Sequence, residues 1–113
     1  MSITIYHNPN CSTSRQVLEM IRASGQEPEV VPYLRTGWTK PLLQSLLKAM
    51  GKKPRDILRR KEKLVGELGL AEATDDQILA AMIEHPVLVE RPIVVTPKGT
   101  ILARPKESVL SIL

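Results

Sequence analysis

Cys11 is the one cysteine in a chain of 113 residues, and the residues around it suit a nucleophile. It falls where an alternating run, Ile3-Thr4-Ile5-Tyr6, passes through the turn His7-Asn8-Pro9-Asn10 into a stretch of helical periodicity that begins at Ser12. At such a junction, free backbone N–H groups and the positive end of the helix dipole lower a thiol pKa and favour bound anions. Ser12, Thr13 and Ser14 add hydroxyls able to cap the helix or donate to a thiolate, and a protonated His7 would help to hold it. A lone cysteine also has a plainer reading, as an inert small hydrophobe. Its neighbours Asn, Pro, Ser and Thr argue against a core position, so a reactive loop thiol is expected.

The motif Cys11-Ser12-Thr13-Ser14 is C-x-x-S. With no second thiol in the chain, an adduct on Cys11 must be resolved by an outside thiol such as glutathione or a glutaredoxin. One cysteine also excludes an internal disulfide and a multi-thiolate zinc or iron–sulfur site, and no metal is expected. His85, before Pro86, reads as a partner of helix C-terminal carbonyls rather than as a ligand. Arg91 and Arg104 stand at strand ends. A guanidinium presents a planar fork of parallel donors, which suits a tetrahedral oxyanion.

These residues need elements to position them. Val17, Leu18, Met20 and Ile21 fall on one face of a helix over 12–24, stopped by Gly25. A second strand is expected over 29–33. Thr39 as N-cap and Pro41 in the first turn open a helix carrying Leu42, Leu43, Leu46, Leu47 and Met50, closed by Gly51. The connections are too long for a hairpin, so the two strands should be parallel, joined by a right-handed crossover. Pro54 to Lys63 is short and strongly basic, and reads mostly as a solvated face. Trp38, beside Gly37, should cover a hydrophobic edge from a loop. Thr74-Asp75-Asp76-Gln77 is a capping box opening a helix that ends at His85-Pro86. Ile93-Val94-Val95 and Thr100-Ile101-Leu102 flank Pro97-Lys98-Gly99 as a hairpin. Pro105 should then be the first residue of a final helix over 106–113. The order predicts an α/β protein of thioredoxin-like fold: a four-stranded mixed sheet flanked by helices. It is read as a single domain over 1–113, with a helical insertion at about 52–86 between the second helix and the C-terminal hairpin.

Composition narrows the function. With 42% hydrophobic and 25% charged residues the chain reads as globular. A net charge of +4 is mild, and 3% aromatic residues offer no stacking platform, so no nucleic-acid partner is expected. The sequence shows neither a membrane-spanning apolar run nor a secretory signal pattern, so no membrane partner and a cytoplasmic location are expected, with the thiol kept reduced. Nothing calls for an obligate oligomer, and a monomer is expected.

Four stretches together resemble the glutaredoxin-coupled arsenate reductases. They are His7 to Arg15, Glu67-Leu68-Gly69-Leu70-Ala71, Glu90-Arg91-Pro92-Ile93-Val94-Val95, and Arg104-Pro105, and the similarity runs from residue 3 to the C-terminus. The resemblance implies a thioredoxin-like fold with a helical insertion. It implies that Cys11 is the nucleophile and that Arg59, Arg91 and Arg104 bind the oxyanion, with His7 and Ser14 beside the nucleophile in supporting roles. Pro92 matches a position where such folds commonly keep a cis-proline facing the thiol. The resemblance further implies no tightly bound cofactor, glutathione as co-substrate, and arsenate, glutathione and a glutaredoxin as partners. Two other readings stand beside it. One is a glutathione-dependent thiol oxidoreductase acting on another oxyanion or a mixed disulfide. The other is a non-enzymatic relative of polymerase-binding transcription regulators, whose redox-sensing C-x-x-C pair lacks its second cysteine here because of Ser14.

Overall fold

A computed structural model describes residues 2–113, arranged in two compact units, residues 2–36 with Arg91–Leu113 and Gly37–Glu90. The first unit holds the sheet. Strands β1 (Thr4–Tyr6), β2 (Glu29–Val31), β3 (Ile93–Thr96) and β4 (Gly99–Leu102) lie in the order β2-β1-β3-β4. β1 and β2 are parallel, and the other pairings are antiparallel. Ile5 sits at the centre of the register, opposite both Val30 and Val94. The expected hairpin is β3–β4, and the expected parallel crossover is the helix α1 (Ser12–Ala23) between β1 and β2. The sheet is therefore mixed and four-stranded, and it is flanked by helices.

Alternation and helical periodicity meet in one core. Ile3, Ile5 from β1, Val17 and Ile21 one turn apart on α1, and Val94, Ala103, Val109 and Ile112 pack together, with Leu18, Met20, Val30, Ile101 and Leu113 against them. Removing that apolar surface from water is the main force fixing α1 to the sheet, and hence the loop at its N-terminus. Gly25 ends α1 with a positive φ of 89°, a conformation that strains any residue with a Cβ.

Two expected boundaries differ. β2 ends at Val31 and not at residue 33, because Pro32 has no N–H to continue the ladder. Tyr33–Thr36 instead turns into a short helix, α2, with the Arg35 and Thr36 amides donating to the Pro32 carbonyl at 2.9 and 3.1 Å. The last segment is a 3₁₀ helix, Lys106–Ser111, with Pro105 as its extended N-cap rather than its first residue. Ser108 Oγ donates to the Pro105 carbonyl (2.6 Å) and Ser111 Oγ to the Ser108 carbonyl (2.8 Å). These bonds reach three residues back and favour the tighter turn, while Val109 and Ile112, also three apart, reach the core.

The second unit is helical. α3 (Lys40–Met50) has the expected Thr39 cap, whose side chain accepts the Leu42 amide, and closes on Gly51 in the left-handed region. α4 is Lys63–Glu67. α5 (Asp75–Glu84) carries the full capping box, with Thr74 and Gln77 bonded reciprocally at 3.2 and 2.9 Å. The basic stretch after Pro54 is more than a solvated face. Ile57 and Leu58 are buried, and a bridge between Leu58 and Val89 pins the chain there. Trp38 is a buried anchor in this unit rather than the cover of an edge, its indole N–H donating to the Pro86 carbonyl at 3.4 Å. Among the described residues no helix is long and apolar enough to cross a membrane.

Candidate active site

Cys11 is the N-cap residue of α1, in extended backbone (φ −102°, ψ 121°). Its side chain is buried, with the residue only 8% exposed, where the polar neighbours had suggested an open loop. The reason is that those polar residues are spent on each other. The His7 amide donates to the Val31 carbonyl (2.8 Å) and the Cys11 amide to the Asn8 carbonyl (3.1 Å). Asn8 Oδ1 accepts the Asn10 amide at 2.9 Å, an Asx turn, and the Asn8 amide donates to Ser14 Oγ at 3.1 Å.

The electrostatics at the sulfur are a contest. Burial pushes the Cys11 thiol up. The Ser14 amide, the charge and hydrogen bond of the Arg91 guanidinium, and the Thr13 amide push it down, and together they win: the thiol pKa is lowered. Thr13 and Ser14 are the second and third residues of α1, the positions whose free amides an N-cap side chain receives. A thiolate thus takes the place that a serine oxygen commonly holds.

His7 does not serve as the cation that its position suggested. Burial lowers its pKa first, and the charges of Arg22 and Arg15 lower it further, so the ring is neutral near neutral pH. Its Nδ1 lies 2.7 Å from Ser14 Oγ. Because that oxygen already accepts the Asn8 amide, a Ser14 hydroxyl donating to Nδ1 satisfies both buried groups and puts the ring proton on Nε2. His7 and Ser14 therefore hold the loop, and the positive charge at the thiolate comes from Arg91.

The lowered His7 pKa carries a stability consequence. Between the ordinary histidine value and the lowered one, the unfolded chain binds a proton that the folded chain refuses. Stability therefore falls as pH drops through that window. Urea unfolding near neutral pH and again below the ordinary histidine pKa should show this loss. His7→Gln should flatten the dependence.

Arg91 and Arg104 are brought together. Arg104 Nη1 donates to the Arg91 main-chain carbonyl at 3.0 Å, and Pro92, joined to Arg91 by a cis bond, accepts the Ala103 amide at 2.9 Å. The Arg91 side chain reaches Cys11 while Arg104 holds the strand end that bears it. Arg59 belongs to the second unit. There its amide donates to the Leu88 carbonyl (2.8 Å) and its guanidinium lies 3.5 Å from the Glu62 carboxylate. His85 ends α5, its amide donating to the Ala81 carbonyl at 2.7 Å. The turn expected at His7-Asn8-Pro9-Asn10 is present, closed by the Asn8 side chain on the Asn10 amide. A bond that no local pattern announces is that of Arg15 Nη1, which donates to the Pro9 carbonyl at 2.8 Å. Among the described residues no cluster of three His, Cys, Asp or Glu side chains could hold a metal ion.

A mixed sheet, a low-pKa cysteine capping the first helix and a cis-proline before the hairpin strand define a thioredoxin-like protein with a cysteine-centred site, here furnished with a guanidinium on the thiol. The ArsC family model matches residues 6–112. The chain belongs to the ArsC family. A protein named arsenate reductase from Yersinia enterocolitica is 55% identical over 114 residues, covering 99% of this chain and 81% of the relative. One of the same name from Escherichia coli strain K12 is 54% identical over 114 residues, with the same coverage of both chains. The solved arsenate reductase of Vibrio cholerae superposes with a TM-score of 0.94 at 44% identity, covering 100% of this chain and 98% of that one.

Proposed function

We propose that this chain is an arsenate reductase working through a covalent adduct on Cys11. The observation that carries the reading is the Arg91 guanidinium set against a helix-capping cysteine whose pKa it lowers, because one cation there serves both nucleophile and oxyanion. Arsenate bears roughly two negative charges near neutral pH, and taking it out of water requires compensating cations and donors. Arg91, Arg104 and the first amides of α1 supply them. The Cys11 thiolate bonds to arsenic(V), and one arsenate oxygen leaves as water after taking protons from solvent. A glutathione thiolate then bonds to the Cys11 sulfur. The electron pair of the breaking S–As bond stays on arsenic, which falls from +5 to +3 and leaves as arsenite. A glutaredoxin thiolate takes the glutathione from Cys11 and restores the thiolate. Two thiols lose the two electrons that arsenic gains. No resident cofactor enters, and the cytoplasm, with its reduced glutathione pool, is the fitting compartment.

Simple exchange of mixed disulfides needs no oxyanion cage, and the position of a second, switching thiol is taken by the buried hydroxyl of Ser14. Arsenite production with arsenate, glutathione and a glutaredoxin, measured beside turnover on a glutathione mixed disulfide, tests the reading. Arsenate is expected to be the better substrate; activity on the disulfide alone would overturn the proposal.

A further inference from the structure

Beside the Cys11 loop lies an open groove of about 700 Å³, lined by His7, Pro9, Arg15, Leu18, Glu19 and Arg22 among others, a volume suited to a small ligand. The lining residues Arg15, Leu18 and Arg22 recur at helical spacing, so the groove runs along one stripe of α1, and Cys11, the N-cap one turn before Arg15, stands at the head of that stripe just outside the lining. Arg15 is one turn from the nucleophile, its amide bonded to the Cys11 carbonyl at 3.0 Å. Four residues of helix rise about 6 Å. Two extended peptide residues span about 7 Å, so a thiol placed at the Cys11 sulfur has its neighbouring carboxylate at the level of Arg15.

The charges are arranged for such a ligand. Arg15 uses one nitrogen on the Pro9 carbonyl, which braces the guanidinium at the groove wall and leaves its other N–H donors facing solvent. Arg22 is held by both oxygens of Glu27 at 3.0 Å, so it contributes field rather than an anchor. Glu19, four residues after Arg15, offers a carboxylate to an ammonium group. Between the charged residues Pro9, Leu18 and Ala23 give an apolar floor.

We propose that this groove is the docking site of the reducing thiol, an anionic peptide thiol with carboxylate and ammonium groups, and that Arg15 is its carboxylate anchor. This rests on the reading that an outside thiol resolves the Cys11 adduct. It assigns that thiol a track along α1, with its sulfur at the head of the stripe and its charged end between Arg15 and Glu19.

S-methylglutathione, which binds without reacting, separates the site from the chemistry. Titrated by NMR into the protein without arsenate, it should shift the His7 ring resonances saturably while leaving those of His85 in place. Arg15→Ala should weaken that binding about tenfold, the worth of one charge-assisted contact, and Arg15→Lys should recover part of it. In turnover the same loss should fall on the KM for glutathione and not on the KM for arsenate. A neutral thiol lacking carboxylates should lose far less of its reactivity in Arg15→Ala than glutathione does. No saturable shift at His7, or an unchanged glutathione KM in Arg15→Ala while arsenate is still reduced, would overturn the docking site and leave the function standing. Saturable binding in a protein that makes no arsenite would have the opposite meaning.

Discussion

Cys11→Ser will lower glutathione-dependent arsenite production to the rate seen without protein, while the fold is retained or slightly stabilised. Serine is nearly isosteric with cysteine and is among the preferred N-cap residues, so the junction between β1 and α1 gains a better cap. What it loses is the thiolate. A hydroxyl is not brought into ionisation by the amides of Thr13 and Ser14 and the Arg91 charge that suffice for a thiol. The chain has no other cysteine to take over. An unfolding midpoint at or above that of the parent, measured with the assay, separates lost chemistry from lost structure. Retained arsenite production by a folded Cys11→Ser protein would exclude the covalent route.

Arg91→Ala should be almost as damaging, by two separable paths. Removing one charged partner from a buried anion costs about 3–5 kcal/mol, and the partial exposure of Arg91 places the loss near the lower end, roughly a hundredfold to a thousandfold in kcat/KM. The second path is the thiol itself. Burial raises the Cys11 pKa, and Arg91 acts against it through both its charge and its hydrogen bond. Without Arg91 the pKa rises, less thiolate exists at neutral pH, and the acid limb of the pH–rate profile moves to higher pH. Ultraviolet titration of the thiolate should show the same displacement in the same direction. Arg91→Lys divides the two effects. Its point charge restores much of the thiol titration, but it lacks the planar fork that grips an oxyanion, so the KM for arsenate stays high. An unmoved thiol titration in Arg91→Ala would break the link between this guanidinium and the nucleophile.

Much of this site was legible along the chain because its parts are local. The cap position of Cys11, the absence of a resolving thiol, the capping box at Thr74 and the hairpin around Lys98 depend on residues within a few positions of one another. Errors arose where a neighbour in space outweighed one in sequence. A protonated His7 would have helped to hold the thiolate from four residues upstream; burial first, then the charges of Arg22 and Arg15, lower its pKa instead. The loop read as open because its residues are polar, although Ser14, Asn8 and His7 satisfy one another and are buried together with Cys11. The helix expected after Pro105 became 3₁₀ because the serine bonds and the core contacts both repeat every three residues.

The sequence by itself determined that Cys11 stands at the head of a helix and has no second cysteine among the 113 residues, since helix starts and residue types are properties of short stretches. The tertiary structure decided how the thiolate is stabilised. β3 crosses beside β1, setting Arg91 against a cysteine eighty residues earlier, and Arg104 holds that strand end by its main chain. Which cation meets the sulfur depends on the register of an antiparallel pair, and register is fixed only when both strands bury their apolar faces in one core.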